Sequence, residues 1–321
     1  MYLLIITVIL SEKNKYYLVY IQSNIMGRLT RIQLLQHNKP LIVKALKNTN
    51  KSVFSISELS NILNENKNSW RLAQITTKTD FINFLTENKI LEEVFIDLPT
   101  RSTKKYVFKD ANNYEIALSI RQDSYLSHYT ALFIHGLTNN IIKNIYTNLE
   151  QTIKPSRTGK QNTLLQENID RAFSRPMRMT NNIAKLPTFD VYLLNGKNFN
   201  RLEVIDYLIN NKSFPVTSME RTLIDIIIRP NYSGDVGETL DAYKLAKGKL
   251  SVNRLLATLK KMNNIYPYHQ AVGFYLERAG YDEKLLKLVE KIGINYNFYL
   301  TYQIRDKDFS KRWNIFYPKD L

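Results

Sequence analysis

Cysteine is missing altogether from this 321-residue chain, which removes disulfides, thiol nucleophiles and thiolate metal sites together and fits a reducing cytoplasm. Histidine is scarce: His37, His128, His135 and His269 are too scattered for metal-ligand spacing, and neither a His-Glu-x-x-His helix nor a Walker loop occurs. Long apolar runs are lacking too. The stretch Met1 to Leu10 has no basic region ahead of it and ends at Ser11-Glu12-Lys13, well short of a membrane span, so no membrane partner is expected. Acids are the fourth shortage. The 29 Asp and Glu face 45 Lys and Arg, a formal net charge of +16. A field of that sign attracts polyanions, nucleic acid first, although lysine-rich solvated faces account for part of any such excess.

What is present is enough for a core. Hydrophobic residues make up 44% and aromatics 12%, and the length suits two domains. Residues 28–47 carry Ile32, Leu35, Ile42 and Leu46 at helical intervals, with Pro40 marking a kink or a second start. Ser55 or Ser57 can cap a helix bearing Ile56, Leu59, Ile62 and Leu63. A further helix is read from Ser69 to about Asn88, then a strand over Ile90 to Ile96 stopped by Pro99, a basic loop from Thr100 to Lys105, and a returning strand at Tyr106-Val107-Phe108. Helices followed by a hairpin make a winged helix. The expected architecture is α+β and mainly helical: an extension of open status over 1–25, a winged helix-turn-helix over 26–112, and a larger α/β domain over 113–321. Met26 could be a natural start, leaving residues 1–25 as an upstream artefact or an added strand pair.

In a helix-turn-helix, residues at the start of the second helix reach base edges while basic side chains meet phosphates. That assigns DNA contacts to Lys67, Ser69, Arg71, Gln74 and Lys78, with Arg71 reading bases and Lys78 two turns further on the same face. Arg101, Lys104 and Lys105 would sit at the wing tip, where cations can clamp neighbouring phosphates. Trp70 is expected in the core. Basic residues recur at Lys154, Arg157, Lys160, Arg171, Arg175, Arg178 and Lys185, and again from Lys244 to Lys261, as a wider nucleic-acid footprint or as solvated faces.

Three stretches of the C-terminal region carry a family resemblance. They are Tyr125 to Thr138, which contains His135-Gly136-Leu137; Val216 to Asp225, continuing through Arg229-Pro230 to Val236; and Tyr266 to Arg278. In order and spacing, below a winged helix, they resemble the AbiEi family of type IV antitoxins, from Met26 onward. The residues at 1–25 and Asp235, where relatives often carry glycine, depart from that pattern. The resemblance implies a protein that represses its own operon by binding double-stranded operator DNA and counters a nucleotidyltransferase-like toxin, with or without direct contact.

The second stretch also has a reading of its own. Thr217 and Glu220 can form a capping box, and Arg221, Asp225 and Arg229 fall four apart as an ion-pair ladder. His135 suits a helix end, where its ring can meet unpaired carbonyls and Gly136 can turn left-handed. No catalytic, cofactor or metal residue is assigned. A plain winged-helix regulator with a ligand-sensing or dimerising C-terminal domain is the alternative. A metal-dependent nuclease built on Asp190 and Glu203 has Val204 and Ile205 where a lysine would be wanted.

Overall fold

The computed structural model describes residues 5–9, 18–22, 29–152 and 164–321, and its contacts divide the chain into two compact units, Met1–Glu92 and Glu93–Leu321.

In the first unit, β1 (Ile5–Ile9) and β2 (Leu18–Gln22) pair antiparallel with Ile5 opposite Gln22, so part of the stretch ahead of Met26 is a strand pair. There follow α1 (Arg31–His37), α2 (Lys39–Asn48), β3 (Val53–Phe54), α3 (Ile56–Asn66) and α4 (Lys78–Glu87). Three of the helix starts are reciprocal capping boxes, Thr30 with Gln33, Ser55 with Glu58 and Thr77 with Asp80, each satisfying backbone donors that a helix start leaves open. Pro40 lies in the first turn of α2, where its missing N–H costs nothing. Leu35, Leu46, Leu59, Phe81 and Leu85 are fully buried, and α4 packs on α1 and α3. The helix expected from Ser69 begins instead at Lys78. The spacing of Leu72 and Ile75 misleads, because Leu72 is buried while Ile75 is 70% exposed, and the true start signal is the Thr77–Asp80 box.

The second unit opens with β4 (Glu92–Leu98) and β5 (Arg101–Val107), then α5 (Asn113–Ser119), β6 (Tyr125–Leu126), α6 (His128–Ile134), β7 (Asn144–Glu150), α7 (Gln166–Phe173), β8 (Ile183–Lys185) and β9 (Asp190–Gly196). The chain continues through β10 (Val204–Ile209), β11 (Lys212–Thr217), α8 (Met219–Ile228), α9 (Asp235–Ala246), α10 (Val252–Met262), α11 (Tyr268–Arg278) and α12 (Glu283–Glu290). It closes with β12 (Phe298–Tyr299), β13 (Lys307–Ser310) and β14 (Ile315–Pro318). Eight of these strands lie in one sheet in the order β10-β11-β6-β7-β9-β8-β4-β5. At its centre β7 and β9 run parallel, Thr147 opposite Leu193. Asn210 and Asn211 join β10 to β11 with φ of 49° and 63°, the pair of left-handed residues a two-residue hairpin turn requires.

Around α8 gather α6, α9, α10 and α11, burying Leu223, Ile224, Ile226 and Ile227. The last strands seal this core: Phe298, Trp313 and Ile315 are fully buried. Arg312 ties them down, its guanidinium reaching Glu277 on α11 and Glu283 and Glu290 on α12. The strand expected from Phe298 to Ile304 is confined to Phe298–Tyr299, with turns after it. Twelve helices among the described residues and a large sheet make the chain a mixed α+β protein.

Candidate functional site

The side chains assigned to the helix-turn-helix divide into those the fold consumes and those it presents. Lys67 donates to the carbonyls of Gln74 and Thr76 at 2.6 and 2.9 Å, pinning the loop between α3 and α4. Ser69 donates to the Asn66 carbonyl and Gln74 to Asn68, and Trp70 is buried with its ring 6.0 Å from that of Phe81. These residues shape a loop of turns. Arg71 is exposed, but it sits in that loop with φ of 49°, so the expectation that it shares a helical face with Lys78 is corrected.

The face that α4 presents is different. Phe81, Ile82, Phe84 and Leu85 are buried, whereas Lys78, Thr79, Asn83 and Glu87 are exposed. Thr79, Asn83 and Glu87 recur every four residues and so share one side of the helix. Asp80, beside them, caps its own helix and pairs with Arg31 at 3.1 Å. Thr79 and Asn83 are the polar positions the sequence reading missed, because it began the helix nine residues too early, at Ser69 rather than Lys78.

In the second unit the hairpin departs from its expected form as well. The basic segment is not a loop: β5 starts at Arg101, leaving only Pro99 and Thr100 as the turn. Arg101 and Lys104 are exposed along the strand, and Lys105 is half-buried. Lys104 is partly committed, 3.1 Å from Glu93 and 4.7 Å above the Phe95 ring.

The motif at α8 is a buried charge cluster. Its cap is Ser218, whose hydroxyl accepts from the Arg221 N–H, so the box expected between Thr217 and Glu220 does not form. The Thr217 hydroxyl instead meets Thr222, and Glu220 accepts from the Ser251 N–H and lies 3.9 Å from Arg254. Arg221 and Asp225 do pair, Nε to carboxylate at 2.9 Å, both nearly out of solvent. Arg221 also donates to the Leu202 carbonyl and lies over the Phe199 ring. Arg229 ends the helix and, rather than extending the ladder, makes one long contact with the Asn195 carbonyl at 3.4 Å.

His135 caps α6 and Gly136 turns left-handed after it, as the sequence suggests. Its ring meets a carbonyl, Thr217 at 2.7 Å, across the fold rather than in its own helix. Burial holds this imidazole below its ordinary pKa. His269 meets the Gly293 carbonyl in the same manner.

Of the nuclease candidates, Glu203 is taken by Arg254 at 2.6 Å, and no trio of His, Asp or Glu positioned for a metal occurs among the described residues. Arg171, Arg175, Arg178 and Lys185 are exposed, whereas Lys154, Arg157 and Lys160 lie outside the described residues. No described helix is long and apolar enough to cross a membrane.

No family model matches the chain, and no curated protein matches it. Among solved structures it is similar to the RV2827C protein from Mycobacterium tuberculosis, with a TM-score of 0.54 and 13% identity over 86% of this chain and 89% of that one. The likeness is one of fold.

Proposed function

We propose that this chain is a DNA-binding antitoxin of the AbiEi type, which represses its own operon through the N-terminal region and counters a nucleotidyltransferase-like toxin through the remainder. The observation that carries the DNA half is α4: its apolar side is locked into the core by Phe81 and Leu85 while Lys78, Thr79 and Asn83 stand exposed at its start and along one side. Short polar side chains on a rigid helix can read base edges, and a lysine at its start can meet a phosphate. The element order from α1 through β5, helices followed by a two-stranded hairpin, supports the winged-helix reading, and the net charge of +16 favours binding to a polyanion. The antitoxin half rests on the resemblance at 125–138, 216–236 and 266–278.

The test uses the full-length chain with its own promoter DNA and the gene beside it. Asn83→Ala is expected to weaken operator binding with loss of sequence preference, while the same variant still restores growth to cells expressing the neighbouring toxin. Unchanged operator affinity for Asn83→Ala and Thr79→Ala together would remove α4 as the reading element. Failure of the parent chain to restore growth would remove the antitoxin assignment.

A further inference from the structure

Beside α8, wholly within the second unit, opens a cleft of about 80 Å³. Arg221, Arg229, Lys197, Asn148, Asn264 and Phe199 are among its walls. Three cations thus face one carboxylate, that of Asp225, and Asp225 is already matched by Arg221 at 2.9 Å. The positive charge left over belongs to Arg229 and Lys197. Arg229 has only its long contact to the Asn195 carbonyl, which leaves most of its donor fork unused. Lys197 is held at the mouth by the carbonyls of Met262 and Asn263, at 3.4 and 3.1 Å, leaving a third N–H to give.

The amides add to this. Asn264 lines the cleft with its Nδ2 buried and unbonded, and a buried donor without an acceptor is costly to keep. Asn148 is buried beside Gly196, where a β-carbon would come within 2.6 Å of its Nδ2, so the glycine leaves room for that amide on the wall. His128 completes the lining. Burial, with Arg229 and Arg221 nearby, holds its imidazole well below the ordinary range, so it adds no charge near neutral pH.

A guanidinium fork, an ammonium and one unsatisfied amide donor, that of Asn264, with no spare carboxylate in the lining, form the environment of a bound oxyanion. Phe199, Ile228 and Met262 supply an apolar side. We propose that this cleft binds a small organic phosphomonoester, its phosphate between Arg229 and Lys197 and its organic part against Phe199 and Met262. The site goes beyond operator binding, and because its contacts are internal to the second unit, its failure would leave the operator reading untouched.

Calorimetric titration of the full-length chain with a nucleoside 5′-monophosphate, and separately with inorganic phosphate, tests this. One saturable site for the monophosphate is expected, weakened about tenfold or more in Arg229→Gln and in Lys197→Gln and unchanged in Lys260→Gln, an exposed cation outside the cleft lining. Lys197 is exposed, so its variant keeps the test sound if Arg229→Gln fails to fold. Absence of saturable binding, or equal loss in all three variants, overturns the site. Equal affinity for the monophosphate and inorganic phosphate overturns the role given to Phe199 and Met262.

Discussion

Gly273 on α11 lies so close to Trp313 that a β-carbon there would stand 2.2 Å from the indole Cζ3. The ring is fully buried and its Nε1 donates to Glu277 at 2.8 Å, while Gln270, on the same helix, donates to the Trp313 carbonyl. The stretch Tyr266 to Arg278 is thereby a seat for one tryptophan. In an unconstrained helix, alanine in place of glycine gains about 1 kcal/mol. Here the collision outweighs that gain, and Gly273→Ala should lose about 1–3 kcal/mol. Urea denaturation measures it, and a neutral or stabilising result would mean the indole can move aside.

The Arg221–Asp225 pair should behave as a unit. Asp225→Ala leaves a buried guanidinium unmatched and should cost about 3–5 kcal/mol, whereas replacing both partners with apolar residues of similar volume should cost much less than the two single changes combined. A double-mutant cycle reads this coupling, and additive losses would show that the two side chains stabilise the fold separately.

Stability should fall on acidification below about pH 6.5. His128, His135 and His269 all have pKa values lowered by burial from 6.5, and the carbonyls facing His135 and His269 accept from Nε2, which fixes a neutral tautomer. The unfolded chain binds protons at the ordinary value while the folded one resists them. Their contribution is therefore complete above 6.5 and lost as pH drops through the lowered values. Denaturation midpoints measured from about pH 7 to 5 should decline, and His135→Gln with His269→Gln should flatten the decline. An unaltered slope in that double variant would assign it to other groups.

On the hairpin, Arg101 and Lys104 should differ in their effect on DNA affinity. Lys104 already shares its charge with Glu93, whereas Arg101 is exposed at the start of β5. If the strand meets phosphates, Arg101→Ala should reduce the dependence of log affinity on log salt by about one unit and Lys104→Ala by less. Anisotropy titrations over a range of salt concentrations decide it; identical slopes for both variants and the parent would take the hairpin out of the DNA contact.

Local signals carried well from sequence to structure where a side chain bonds its own backbone. Ser55 at the start of α3 and Gly136 after α6 were legible for that reason, and Trp70 because bulky aromatics seek burial. The start of α4 was obscured by Leu72 and Ile75, which mimic helical spacing across a loop whose shape depends on Lys67 reaching two distant carbonyls. The strand β7 was missed because, lying in the middle of the sheet beside β9, it is largely buried on both sides and shows no alternation. The β10–β11 hairpin carried a readable mark in Asn210-Asn211 that was passed over. The cleft by α8 could not be read at all, since Asn148, Lys197, Arg229 and Asn264 converge only through tertiary packing.

Arg312 gives the final strands a weight their brevity would not suggest. Glu277, Glu283 and Glu290 all turn towards it from α11 and α12, so a polypeptide shortened ahead of this position would leave three anions crowded together without the guanidinium that pairs with them. The last ten residues thus act as a clasp across the two helices, and a protease nick or an ill-placed fusion there would be felt far inside the molecule.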